Sequence, residues 1–264
     1  LRDASQDIQS AARFPETYDL SVVSDRLQFL AATQASSMMW IIKPAAMNRG
    51  RGIRVVKNAD SLRKKLLGSG SSQDDDCGID EWRGGGSSMD VLVQRYLSSP
   101  LLVHGKRKFD IRAYCLVSRC DAENLVAYYH EGYARVALMN YDSSDAKLGD
   151  DLVHLTNIAV QRRHPDYDRL KDEAVLSMAK LEDVLDVPKG WVLGAFTDQM
   201  KASMAAVVAA AAPKFDRRAG CFDLLGFDFM ASRNAKGECV AHLIEVNTNP
   251  ALHVSEGKAL TKIL

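Results

Sequence analysis

Three side chains near the C-terminal end are spaced for metal chemistry. Phe222 to Met230 and Val240 to Asn247 are apolar runs bracketing Asn234-Ala-Lys-Gly237, the pattern of a β-hairpin. A two-residue loop at Lys236-Gly237 sets Asp228 directly opposite Glu245, and the period of two brings Asn247 to the same face as Glu245. Facing carboxylates repel and raise each other's pKa unless a divalent cation sits between them. Mg²⁺, held by a few protein oxygens and completed by phosphate, fits Asp228, Glu245 and Asn247. A solvated face with incidental acids is the bland alternative, and the apolar flanks on both strands speak against it.

Positive charge and loop glycines lie elsewhere in the chain. Between the strand-like Met38–Lys43 and Ile53–Lys57 runs the segment Pro44-Ala-Ala-Met-Asn-Arg-Gly-Arg-Gly52 combines two glycines with Arg49 and Arg51 next to Lys43, the makings of a phosphate cradle. No G-K-[ST] follows, so it is not a Walker A loop. Lys108 to Val117 alternates with a period of two: Phe109, Ile111, Ala113, Cys115 and Val117 on one face, Lys108, Asp110 and Arg112 on the other. A cation-anion-cation row is costly to bury unless it meets ligand charge or forms an internal ladder of ion pairs. His154-Leu-Thr-Asn157 offers polar groups for a cap or a ligand contact, and the six histidines lack zinc spacing. These features together describe a site for ATP or another phosphate with Mg²⁺.

The elements that must carry these groups follow from the pattern. Helices are expected over 24–35, 58–68, 166–187 and 191–212, and strands over 38–43, 53–57, 90–97, 108–117, 125–130, 222–230 and 240–247. Strands and helices do not alternate regularly, which predicts an α+β fold with largely antiparallel sheets and flanking helices. Residues 1–37 read as a lead-in and 69–88, rich in Gly, Ser and Asp, as a surface insertion. The 264 residues carry 34 basic and 34 acidic side chains, so bulk charge excludes a dedicated nucleic-acid binder. Five cysteines without a CxxC pair suit a reducing compartment, and the longest apolar run, Met204 to Ala212, is too short to span a membrane. Residue 1 is Leu, which reads as a piece of a longer chain.

In order, Trp40-Ile-Ile-Lys-Pro44, Arg49-Gly-Arg-Gly52, Val93-Gln-Arg-Tyr-Leu97, Arg107-Lys-Phe-Asp-Ile-Arg112, His154-Leu-Thr-Asn157, Gly226-Phe-Asp-Phe229 and Ile244-Glu-Val-Asn247 resemble the tubulin tyrosine ligase-like family of ATP-grasp ligases. The resemblance runs from Phe14-Pro-Glu-Thr-Tyr18 to His253 and implies one catalytic domain over 1–264, with the nucleotide between a central subdomain (38–97) and a C-terminal one (98–264). It implies that Lys43, Arg49 and Gly50 contact ATP phosphates, that the backbone of Gln94, Arg95, Tyr96 and Leu97 reads the adenine, and that Lys108, Asp110, Thr156 and Asn157 also touch ATP. Arg112 and Arg135 would hold substrate carboxylate and phosphate, with Asp228, Glu245 and Asn247 on Mg²⁺ and Glu245 counted with the catalytic groups. The implied reaction converts a protein glutamate to an acyl phosphate, which the amine of free glycine, glutamate or tyrosine then attacks. The implied partner is tubulin or the microtubule, through its acidic C-terminal tails. The implied place is the cytoplasm and cytoskeleton, the axoneme of a cilium or flagellum included, with no nucleic acid and no membrane. Ile158 and Gln161 stand where glutamylating members carry Tyr and Asn, and together with Gly132-Tyr-Ala-Arg-Val136 they resemble the glycylating branch. The alternatives are glutamylation, tyrosination, or an inactive ATP-binding module that docks on tubulin.

Overall fold

The computed structural model describes residues 13–33, 38–45, 50–57, 59–67, 90–121 and 123–252. Arg49, the 69–88 insertion and His253 lie outside the described residues. The chain divides into two units, one of residues 15–99 and 137–169 and the other of 1–14, 100–136 and 170–264.

The first unit is built on a four-stranded antiparallel sheet in the order β1-β4-β2-β3, with β1 Thr17–Asp19, β2 Trp40–Pro44, β3 Arg54–Val56 and β4 Val91–Arg95. Helices α1 (Val23–Ala32) and α2 (Asp60–Leu66) accompany it. Alternation along the strands sends Tyr18, Trp40, Ile42, Val91 and Val93 to one face, where they bury with Leu20, Phe29 and Leu62. Tyr18, Phe29 and Trp40 pack as a tilted and edge-to-face trio with ring centroids 5.3–6.0 Å apart. The opposite face is left to Thr17, Gln94 and Lys43. Two one-turn helices, α3 (Asp151–His154) and α4 (Ile158–Gln161), flank the His154–Asn157 turn.

The second unit carries a six-stranded antiparallel sheet. Its path is β10-β9-β6-β7-β8, with β6 Arg107–Arg119, β7 Leu125–Val136, β8 Val175–Leu176, β9 Phe222–Arg233 and β10 Cys239–Asn247, and short β5 (Leu102–Val103) paired to β6. The odd-numbered residues of β6 read as apolar in the sequence are all buried, with Phe227, Phe229, Ala241 and Leu243 from β9 and β10. Met178 and Leu181 of one helix and Met200 and Met204 of another close that core.

The expected helix over 166–187 is not one helix. Its residues form α5 (Tyr167–Leu170), a 3₁₀ turn at Lys171–Glu173, strand β8 and then α6 (Met178–Val184). The edge of β7 decides this: Val136 donates to the Ala174 carbonyl, and Val175 and Leu176 pair with Arg135 and Ala134. Satisfying that edge outweighs helix propensity, and Ser177 restarts the helix by accepting from the Lys180 N–H. The 191–212 helix is present, with a π-helical turn at Val192–Phe196 running into α7 (Thr197–Ala211). Glu182 caps its entry, accepting from the N–H groups of Gly190, Val192 and Leu193. Among the described residues no helix is long and apolar enough to cross a membrane.

Candidate active site

In the second unit, two β-bulges aim the charged side chains at one sheet face. The β9–β10 turn spans Asn234–Glu238, not the expected two residues, because the Asn234 side chain accepts from the N–H groups of Lys236 and Glu238 at 2.9 Å each and Gly237 takes a φ of +79°. That register runs from Arg233↔Cys239 to Phe229↔Leu243 and would bring Ile244 opposite Asp228. The strand inserts Ile244 as an extra residue, so Glu245 faces Asp228 after all, and Asn247 follows on the same side. The expected pairing is therefore correct, though the turn proposed to create it is not.

The second bulge lies in β7. Tyr114 pairs with His130 but Arg112 pairs with Tyr133, so β7 holds one residue more than β6. Gly132 makes this possible at a φ of +67°, and a Cβ built there would stand 1.7 Å from the Arg112 carbonyl oxygen. The Gly132 N–H is taken by His130 Nδ1 at 3.0 Å. Beyond the bulge Arg135 lies opposite Asp110; without the extra residue it would turn into the core.

The outcome is a buried charge cluster. Asp228 is 3% exposed; it accepts from Arg112 Nε, from Arg112 Nη2 at 2.9 Å and from Arg135 Nη2 at 2.7 Å. Arg135 also grips Asp110 with Nε at 2.7 Å and with Nη2. Burial pushes the Asp228 carboxyl up, yet Arg135 and Arg112 hold it below the ordinary carboxylate range. Burial likewise disfavours charge on Arg112 and Arg135, and their carboxylate partners more than offset it, so both stay protonated. The Nη1 group of each arginine donates to none of the described residues. Lys108 is buried on the same strand face. Glu245, half-buried, faces Asp228 across the strand pair and accepts from Asn247 Nδ2 at 3.1 Å. Gly226 lets this packing close: a Cβ there would meet Pro250 at 2.6 Å and the Arg112 stem at 3.2 Å.

The donor set fits Mg²⁺. Among the described residues no group of three or more His, Cys, Asp or Glu side chains could hold a metal. Two carboxylates and one amide, all hard oxygens, suit an ion that takes the rest of its shell from phosphate and water.

The first unit holds the remaining predicted residues. Lys43 Nζ donates to Gln94 Oε1 at 2.8 Å. In the predicted hinge the N–H groups of Arg95 and Tyr96 donate to the carbonyls of Glu16 and Met39. Gly50 packs on Asn157 and Val160: a Cβ added to it would lie 3.1 Å from Asn157 Oδ1 and 3.0 Å from the Val160 side chain. Thr156 is buried, and Asn157 sits at the start of α4 without using its side chain as a cap. His154 is structural: Tyr96 Oη lies 2.8 Å from its Nδ1 and the Lys147 carbonyl 2.9 Å from its Nε2.

Sequence reasoning missed the support beneath the turn. Gln161 is 0% exposed; its Oε1 accepts from Leu138 N–H at 2.8 Å and its Nε2 donates to the carbonyls of Leu152 and Leu155 at 3.2 and 2.6 Å. It clamps the turn that presents Thr156 and Asn157. Its side chain carries no local signal beyond being an amide where a surface helix expects any polar residue.

A family model described as the tubulin-tyrosine ligase family matches residues 2–262. The human "Inactive polyglycylase TTLL10" is 36% identical over 250 residues, covering 92% of this chain and 35% of the relative. The "Protein polyglycylase TTLL10" of Macaca fascicularis is 35% identical over 92% of this chain and 38% of its own length. The mouse "Tubulin polyglutamylase TTLL5" is 30% identical over 81% of this chain and 15% of its own length. The chain thus spans little more than a third of these relatives at most.

Proposed function

The chain belongs to the tubulin-tyrosine ligase family, and from that premise we propose that it is an ATP- and Mg²⁺-dependent ligase that joins amino acids, glycine first among them, to glutamate side chains of tubulin tails. The observation that carries the reading is the Asp228–Glu245 pair, with Asn247 beside it and two buried arginines behind it. A carboxylate is a poor acyl donor until one of its oxygens takes the γ-phosphoryl group and ADP departs. The amino acid's nitrogen then bonds to the carbonyl carbon, phosphate leaves and the nitrogen loses a proton. Such chemistry needs positioning and electrostatic stabilisation more than a side-chain nucleophile.

Each residue has a part in it. Asp228, Glu245 and Asn247 would hold Mg²⁺, whose role when bound is to neutralise phosphate oxygens as charge develops. Arg112 and Arg135 fix Asp228 and keep Nη1 groups for an anionic substrate. Lys43, Arg49 and Gly50 would contact phosphate, Lys108, Asp110, Thr156 and Asn157 the nucleotide, and the Gln94–Leu97 strand end the adenine. Tubulin as partner rests on the name of the polyglutamylase relative, and the cytoplasm and cytoskeleton as location follow from that partner. The preference for glycine rests on 35–36% identity to proteins named polyglycylases against 30% to one named a polyglutamylase.

A second reading is an inactive ATP-binding module on tubulin, favoured by the human relative's being named an inactive polyglycylase. The charged positions for ATP and Mg²⁺ are all retained here, which supports the ligase. Incubation with microtubules, Mg²⁺-ATP and separately labelled glycine, glutamate and tyrosine decides, with Glu245→Gln as the blank. Glycine incorporation that falls about 100-fold or more in the blank is the expected result; ATP binding without incorporation of any label would favour the inactive module.

A further inference from the structure

Three side chains on neighbouring strands form a hydrogen-bonded relay whose direction is forced. Thr17 of β1 pairs with Gln94 of β4, and Gln94 with Ile41 of β2, so Thr17, Gln94 and Lys43 share one sheet face. Thr17 Oγ1 lies 2.7 Å from the Pro15 carbonyl oxygen, Gln94 Nε2 lies 2.9 Å from Thr17 Oγ1, and Lys43 Nζ lies 2.8 Å from Gln94 Oε1. A carbonyl only accepts, so the Thr17 hydroxyl proton belongs to Pro15, leaving its oxygen an acceptor toward Gln94. An ammonium only donates, so the Gln94 oxygen must face Lys43. Both ends of the relay thus demand the same amide orientation.

We propose that Thr17 is a positioning residue: it fixes the Gln94 amide and, through it, the Lys43 ammonium that meets nucleotide phosphate. The inference rests on the reading of Lys43 given above and adds Thr17 to the machinery. Gln94 is buried, so an amide rotated by half a turn would press an N–H against the ammonium, and Thr17 could meet the rotated oxygen only by giving up its bond to Pro15. Valine at position 17 keeps the shape of threonine and removes the acceptor; serine keeps the acceptor and removes a methyl.

The test measures affinity for a fluorescent N-methylanthraniloyl-ATP with Mg²⁺ in the wild type, Thr17→Val, Thr17→Ser, Lys43→Ala and the Thr17→Val/Lys43→Ala double variant, with melting temperatures alongside. Thr17→Val is expected to weaken binding up to about tenfold, the worth of one hydrogen bond. Thr17→Ser is expected to restore it, and the double variant to bind no more weakly than Lys43→Ala alone. Wild-type affinity in Thr17→Val, with or without a lower melting temperature, would overturn the relay, as would losses that multiply in the double variant. A wild type that binds no nucleotide would overturn the reading of Lys43 itself, and the relay with it.

Discussion

Asp228 and Glu245 face each other across one strand pair and carry different burdens. Asp228 is enclosed by two guanidiniums, whereas Glu245 is half-buried and accepts from the Asn247 amide. Breaking a buried ion pair leaves the partner's charge uncompensated, which costs about 3–5 kcal/mol. Asp228→Asn is therefore expected to lower the urea-unfolding free energy by about that much in metal-free buffer, with far-ultraviolet circular dichroism unchanged at low denaturant. Glu245→Gln leaves both guanidinium pairs of Asp228 in place, and its unfolding free energy should fall by clearly less than that of Asp228→Asn. A similar loss in both variants would mean that the two carboxylates share one structural role. The same contrast separates Gln161 from its neighbours, since its amide is consumed entirely by backbone while Thr156 and Asn157 keep their side chains for other partners.

At the level of elements, the bulges at Ile244 and Gly132 decide which charged residues share a face, and only one of them has a sequence signal. Gly132 combines a left-handed φ with a Cβ position inside the Arg112 carbonyl, so Gly132→Ala must either open the β6–β7 ladder or shift its register. We expect a destabilisation of about 2 kcal/mol or more on denaturant unfolding, with faster amide exchange in Tyr133–Val136 than in Ala127–Tyr129 on the far side of the bulge. Unchanged exchange would show that the strand accommodates the methyl and that the bulge does not hold Arg135. The period of two made Lys108, Asp110 and Arg112 legible as one face, because alternation along an unbulged stretch is strict, whereas the pairing of Arg112 with Asp228 needed the β6–β9 register. Glu245 was legible only through a compensation: the turn is longer than the sequence suggested and Ile244 restores the pairing. The expected helix over 166–187 failed because a two-residue edge strand answers to the vacancy on β7, a tertiary demand that no local pattern carries. Arg135 was reachable only by resemblance, since its facing depends on the extra residue in β7.

Across the whole molecule equal numbers of basic and acidic side chains cancel, so stability against pH is governed by a few groups whose surroundings shift them. His242 is one of them. Burial and then the nearby Arg13 lower its pKa below 6.5, while its Nε2 meets Ser232 Oγ at 2.8 Å. The unfolded chain therefore binds a proton near pH 6.5 that the folded protein refuses, so stability is full above that pH and falls as pH drops toward the folded value. On the alkaline side, burial pushes the Cys115 thiol from 9.0 up to about 11. There the unfolded chain loses its proton first, and stability declines as pH rises from about 9 toward 11. Tyr129, raised by burial from 10.0 to about 12, extends the same limb. Urea midpoints taken from pH 5 to 10 should trace a plateau between these two limbs. His242→Gln should flatten the acid limb between pH 6.5 and 5 and leave the alkaline limb in place, and Cys115→Ala should make the alkaline limb shallower, with the buried tyrosines still contributing near pH 10, and leave the acid limb in place, whatever either substitution does to the height of the plateau. An acid limb of the same slope in His242→Gln would assign that proton uptake to other groups and leave the Ser232–His242 contact without a part in the pH response.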